Sequence, residues 1–412
     1  MISIVYLLLL LVAAIFFGKV AERLKQPTIV GNIFGGLVFG PGFVAVLRSL
    51  HIHLGLSSLG NVIDDMHPDL VESEITFLLQ FAIIMLMFSS GLETRIKDFI
   101  NSFRTGILTA SLGVVFPFLF GFGGIYAITG DWLVGLYVGA ALSITAVALS
   151  IATLIQIDAI HSRFGMTIIN AAIVDDIIGI IILSVLLSLS QTGKFPNPFS
   201  LATTVALAVV FVIISLFLIP KVLKYFYRGV VELRVTERVG IAILIAGLIA
   251  VLAHLMGLHL MIGAFLGGMA IRESLNRRTQ QAVNRWSFGF FAPVFFAWVG
   301  FSVTFSVRAF SILLPLLIVL GFAGKVMGSG LGAKLSGLKW SESLLVGVGM
   351  NGKAAVELIL ASIALRAGII GRDLYSAVVM MAAILALITP VLLKYLTKKF
   401  VNKGWVDDVY AV

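Results

Sequence analysis

The chain of 412 residues is 60% hydrophobic and 12% charged, with a mean hydropathy of +1.10. Soluble globular domains are about 45–50% apolar and about 25% charged, so one is excluded, as are disordered, collagen-like and coiled-coil chains. With no cysteine, the chain has no disulfide, thiolate chemistry or cysteine-ligated metal, and its net charge of +9 makes the placement of the cations the next question. A helix crossing a ~30 Å hydrocarbon core needs about 20 residues. Apolar runs between charged or turn-rich breaks predict about thirteen such spans and an all-α polytopic membrane protein. They lie near 2–22, 28–47, 75–92, 105–129, 132–155, 165–190, 200–222, 238–256, 258–272, 287–304, 309–332, 343–365 and 373–395. Span one does not read as a secretory signal, because nothing positive precedes it and Lys19, Arg23 and Lys25 follow it.

Orientation follows from lysine and arginine. The loops after odd-numbered spans hold 22 of the 29 basic residues, against five on the other side (Arg48, Lys194, Arg308, Arg366 and Arg372). The N-terminus is therefore expected outside and the C-terminus in the cytoplasm. The basic balance sets topology, and no nucleic-acid partner is expected. One sizeable outer loop, about 49–74, is acidic (Asp64, Asp65, Asp69, Glu72, Glu74) and reads first as a solvated loop.

Span two reads Gly31-Asn-Ile-Phe-Gly-Gly36 and span nine reads Gly263-Ala-Phe-Leu-Gly-Gly268. Spans five and twelve, also seven apart, carry polar interruptions at Ser143-Ile-Thr145 and Asn351-Gly-Lys353. Seven is odd, so related units would run through the membrane in opposite directions. Inverted repeats with broken helices at the midplane are the architecture of many secondary transporters. The alternative is that small residues simply recur in any membrane chain.

Few ionisable residues remain at depth: Asp175, Asp176, Lys325, Lys353 and Glu357. An Asp or Lys at a helix centre costs roughly 2.5–3.5 kcal/mol, so the first three alone cost about 8–10 kcal/mol unless paired. Asp175 lies about 18 Å along its helix from Arg163, and Lys325 about 14 Å from Lys334. Thr145 comes out about 20 Å from Asp158 and Lys353 about 16 Å from Glu342, so all sit near one plane. Consecutive aspartates point about 100° apart, so one can meet Lys325 while the other faces a cavity. A carboxylate there can exchange a proton for a cation, with Thr145, Ser143, Asn351 and freed carbonyls as further oxygen ligands. Lys353 and Glu357, spaced i, i+4, can satisfy each other or offset half-helix dipoles where span twelve is interrupted.

These residues resemble the monovalent cation:proton antiporter-2 family, most closely the NapA-type sodium/proton antiporters. The likeness runs through Gln26-Pro27 to Gly31, Ser90-Gly91-Leu92-Glu93, Ala172-Ile-Val-Asp175-Asp176-Ile-Ile-Gly179, Ile262 to Gly268, Ala292-Pro293 to Gly300 and Gly324-Lys325-Val-Met-Gly328. The resemblance implies Asp176 as the ion- and proton-binding carboxylate, Asp175 as the partner of Lys325, and Thr145 beside the site. It implies a homodimer in the lipid bilayer of a prokaryotic cell, exchanging Na+, Li+ or K+ for protons without a cofactor. A scaffold of about 1–92 and 238–304 would hold the dimer, and a core of about 105–190 and 309–395 would carry two crossed, discontinuous helices and move against it. Residues 200–222 would link the two.

Two departures stand out. Asn32 occupies a position where relatives often carry an acidic residue. Asn351-Gly-Lys353-Ala-Ala-Val-Glu357 resembles exchangers with an Asn-x-Lys-x-x-x-Glu pattern, some of which favour potassium, so K+/H+ exchange and Kef-like efflux stay open. The chain ends soon after span thirteen, and a Kef-type nucleotide-binding domain is not expected. Among other rivals, a channel needs a filter that no TVGYG-like loop supplies here. An intramembrane aspartyl protease needs its aspartates on separate helices. A sodium-coupled organic solute symporter would want a larger polar cavity.

Overall fold

Wherever they are described, the predicted spans fall on helix, two of them broken midway; the computed structural model describes residues 2–40, 68–145, 147–192, 197–228, 235–256, 258–301, 313–353 and 355–406. In chain order the helices are α1 (Ile2–Arg23), α2 (Thr28–Val38), α3 (Pro68–Glu93), α4 (Ile96–Thr129), α5 (Trp132–Ser143), α6 (Val147–Gln156) and α7 (Arg163–Thr192). Then come α8 (Pro198–Ile213), a π turn (Ile214–Leu218), α9 (Ile219–Arg228), α10 (Val235–Leu255), α11 (Leu260–Ile271) and α12 (Arg277–Trp286). A second π turn (Ser287–Phe291) leads to α13 (Ala292–Phe301), followed by α14 (Leu313–Leu335), α15 (Trp340–Gly349), α16 (Ala355–Arg366) and α17 (Arg372–Asn402). There is no strand among the described residues. Seven helical stretches among them, Phe99–Thr129 and Arg372–Asn402 the longest, are each apolar and long enough to cross a bilayer, as expected of an integral membrane protein. Of the acidic loop, Asp64 and Asp65 lie outside the described residues, as do Arg48, Lys194 and Arg308.

Local chemistry explains the boundaries. Gly130, at φ +68°, ends α4, and the Asp131 carboxylate then accepts from the Leu133 N–H at 2.8 Å to start α5. Residues 277–286, which the apolar pattern leaves in a loop, instead form α12. Only Thr279 and Val283 are buried there, while Arg277, Arg278 and Arg285 are exposed. A span-length apolar criterion passes over such a helix.

The echo of glycines in spans two and nine is a structural repeat. A Cβ on Gly36 of α2 would lie 1.8 Å from the Ala297 carbonyl oxygen of α13, and one on Gly300 would lie 1.9 Å from that of Ile33. In the other half, a Cβ on Gly268 of α11 would lie 2.3 Å from the Phe88 oxygen of α3, and one on Gly91 2.1 Å from that of Phe265. The pairing 33/36 with 297/300 thus recurs as 265/268 with 88/91. Span two maps onto nine while ten maps onto three, and chance recurrence of small residues would not reproduce the partners. Backbones meet this closely only where Cβ is absent.

Around the broken helices the same device works between α4 and α14. A Cβ on Gly324 would meet Pro117 Cα at 2.6 Å, and one on Gly328 would meet the Leu112 oxygen at 2.2 Å. This contact places the intervening Lys325, fully buried, inside the bundle next to the break between α5 and α6.

Candidate functional site

Each break leaves the last carbonyls of a helix without intrahelical partners. At the end of α5, Lys325 Nζ donates to the Ser143 carbonyl at 2.5 Å. Lys353 Nζ donates to the Leu142 carbonyl at 2.8 Å and also to that of Ile144. Two ammonium groups therefore sit at the negative end of this half-helix, where a cation is most favourable. At the end of α15, hydroxyls do the capping: Ser150 Oγ donates to the Gly349 carbonyl at 2.5 Å and Thr145 Oγ1 to that of Met350 at 3.2 Å. Each broken helix thus completes the other.

The aspartates enter from α7. Asp175 is fully buried and satisfied on both oxygens: Oδ1 meets Lys325 Nζ at 2.8 Å and Oδ2 accepts the Thr145 N–H at 2.9 Å. Asp176, one residue on, is 5% exposed. Its charged neighbours are Asp175, Glu357 and Lys325, and no hydrogen bond to it is made among the described residues. Lys353 and Glu357, both fully buried, pair at 3.5 Å. When ionised, the three carboxylates and two ammonium groups leave one negative charge over, and Asp176 is the member without a direct partner among the described residues. A monovalent cation or a proton would balance it.

The structure brings together the residues that depth arithmetic placed in one plane, Asp175, Lys325, Thr145 and Lys353, and with them Asp176 and Glu357. Some contribute through unexpected atoms. Ser143 Oγ donates within its own helix to the Ala140 carbonyl at 2.8 Å, so it is the Ser143 backbone oxygen that faces Lys325. Thr145 offers its N–H to Asp175. Asn351 donates from Nδ2 to the Gly347 carbonyl at 2.8 Å, while its buried Oδ1 has no hydrogen-bond partner among the described residues. Ser150 was not anticipated, since a serine inside an apolar helix carries no sign of capping a helix from the other half. Gln156 Nε2, at the end of α6, bonds Thr28 Oγ1 of α2 at 2.8 Å and ties the broken-helix region to the first helix pair.

Residues 7–399 match the family described as sodium/hydrogen exchanger, transmembrane, and the chain belongs to it. Among relatives, it is 28% identical over 400 residues to a probable Na+/H+ antiporter, GerT, of Bacillus cereus, covering 94% of this chain and 97% of the relative. It is likewise 28% identical to the Na+/H+-K+ antiporter GerN of the same species, covering 94% of each chain. In fold it is similar to the sodium proton antiporter MjNhaP1 of Methanocaldococcus jannaschii, with a TM-score of 0.65, 19% identity and 99% of both chains covered. The expected cation:proton antiporter family holds in this broader form, and the narrower antiporter-2 and NapA-type label gives way to the sodium/hydrogen exchanger family.

Proposed function

We propose that this chain, as a member of the sodium/hydrogen exchanger family, exchanges a monovalent cation for protons across the membrane, with Asp176 as the shared site. The observation that carries the reading is a carboxylate left unbalanced among the described residues: Asp176 is buried beside two ion pairs, Asp175–Lys325 and Lys353–Glu357. A buried charge without a partner is costly in a membrane, and binding either Na+ or H+ removes the cost. Two ligands that neutralise one site exclude each other, and that competition is the minimal chemistry of antiport. Asn351 Oδ1, buried and unbonded among the described residues, is an oxygen available to a hard cation there. The names of the relatives GerT and GerN support Na+ as a substrate, and that of GerN brings K+ into the same range.

In this reading α4–α7 and α14–α17 form a core that slides against a scaffold of α1–α3 and α10–α13, with α8, its π turn and α9 as the link. The Gln156–Thr28 bond crosses between them and would be remade at each passage. The protein works as a homodimer in a prokaryotic cell membrane, with its N-terminus outside and its lysine-rich face in the cytoplasm.

The test is transport in proteoliposomes under an imposed pH gradient, with Na+, Li+ and K+ added in turn. We expect at least one cation to collapse the gradient, and the effective ion names the substrate. If none does while reconstitution is sound, the solute-symporter reading replaces this one.

A further inference from the structure

A groove of about 830 Å3 opens between the first two helices and α17. Its walls are apolar, with Phe17, Val20 and Phe34 on one side and Ile388 and Val391 on the other. Its rim is cationic, made by Lys25, Lys394 and Lys398, and no acidic residue is among those that line it. Lys394 and Lys398 stand one turn apart on the same face of α17. Lys25 joins them from the α1–α2 turn, where its backbone adopts the left-handed φ of 57°.

The dimensions are informative. Eight residues separate Phe17 from Lys25 and ten separate Ile388 from Lys398, so the apolar walls run about 12–15 Å inward from the rim. Half of a ~30 Å hydrocarbon core is about 15 Å. Cations at headgroup level above an apolar slot one leaflet deep match a lipid with a negative headgroup. We propose that this groove binds one anionic phospholipid, its phosphate among Lys25, Lys394 and Lys398 and an acyl chain between α1–α2 and α17. A second copy of the chain would bring its own lysines toward these three, which opposes that occupant. A free phosphate would leave the apolar walls uncovered. The walls fall on the two sides of the sliding interface proposed above, so a bound lipid would hold scaffold and core together. That consequence rests on the proposed function, whereas the binding does not.

The test is native mass spectrometry of the full chain extracted from vesicles of phosphatidylcholine and phosphatidylglycerol in equal parts. Wild type is expected to retain one phosphatidylglycerol per chain in preference to phosphatidylcholine. Each of Lys25→Gln, Lys394→Gln and Lys398→Gln should lower that retention by about fivefold, and the triple variant should lose the preference. Lys403→Gln is the control: its ammonium lies 4.5 Å over the Trp405 ring, outside the groove, and its loss should change nothing. Inorganic phosphate should not displace the lipid. Equal retention by wild type and triple variant would overturn the proposal, as would an equal loss in Lys403→Gln. So would displacement by phosphate, or protection of the three lysines from an amine reagent by dimer formation alone. Retention is read from mass, so its failure is separable from a failure of transport.

Discussion

Asp176→Asn is expected to abolish cation-driven proton movement while leaving the protein folded. Asparagine has nearly the shape of aspartate but releases no proton and balances no cation. The substitution breaks no hydrogen bond among the described residues, because Asp176 makes none there, and it removes the one negative charge left over at the site. Thermal stability in detergent should therefore be at least that of wild type. In proteoliposomes the pH signal should fall to that of protein-free vesicles for every cation. Cation-dependent proton flux above that background would show that the shared carboxylate lies elsewhere.

Asp175→Ala is expected to have the opposite character, a large loss of stability. Removing this carboxylate leaves the buried Lys325 ammonium with the Ser143 carbonyl as its hydrogen-bond partner among the described residues and leaves the Thr145 N–H without its acceptor. Stranding one member of a buried ion pair costs about 3–5 kcal/mol, and an orphaned buried N–H adds about 1–3 kcal/mol. Removing both charges is a different matter. Asp175→Leu combined with Lys325→Met replaces the pair by apolar groups and strands no buried charge, so that the orphaned Thr145 N–H and the freed Ser143 carbonyl are the costs that remain. The double variant should thus melt well above Asp175→Ala, and a double-mutant cycle should give a coupling of several kcal/mol. A wild-type melting temperature for Asp175→Ala would mean that this pair does not anchor the crossing.

Much of this arrangement is legible from residues alone. Apolar runs of bilayer length locate the spans because water and hydrocarbon are so different as solvents. Charges inside such runs are so costly that Asp175, Asp176 and Lys325 announce a site, and residue counts from the nearest surface charges set them at one depth. Glycines at 31–36 and 263–268 hint at the repeat, but which carbonyl each glycine faces is written in no single helix. The polar contacts at the breaks are the least legible part. Ser143 and Thr145 draw attention by their hydroxyls, yet they meet Lys325 and Asp175 through a backbone carbonyl and a backbone N–H, groups that every residue type but proline possesses. Likewise Lys353 reads locally as a partner for Glu357, while its bonds to Leu142 and Ile144 depend on the crossing of two distant helices. The helix at 277–286 escapes a search for apolar runs because only two of its residues are buried.

The central claim, that cation and proton compete for one carboxylate, is tested most directly by the pH dependence of the apparent KM. Initial rates of exchange in proteoliposomes would be measured against Na+ and K+ concentration across a range of pH. Competition predicts an apparent KM that rises as pH falls, approaching about tenfold per pH unit where the carboxylate is mainly protonated. The maximal rate at saturating cation should stay constant, as long as proton release on the far side is not limiting. An apparent KM independent of pH, with a maximal rate that falls instead, would place the proton and the cation on separate groups and contradict the account.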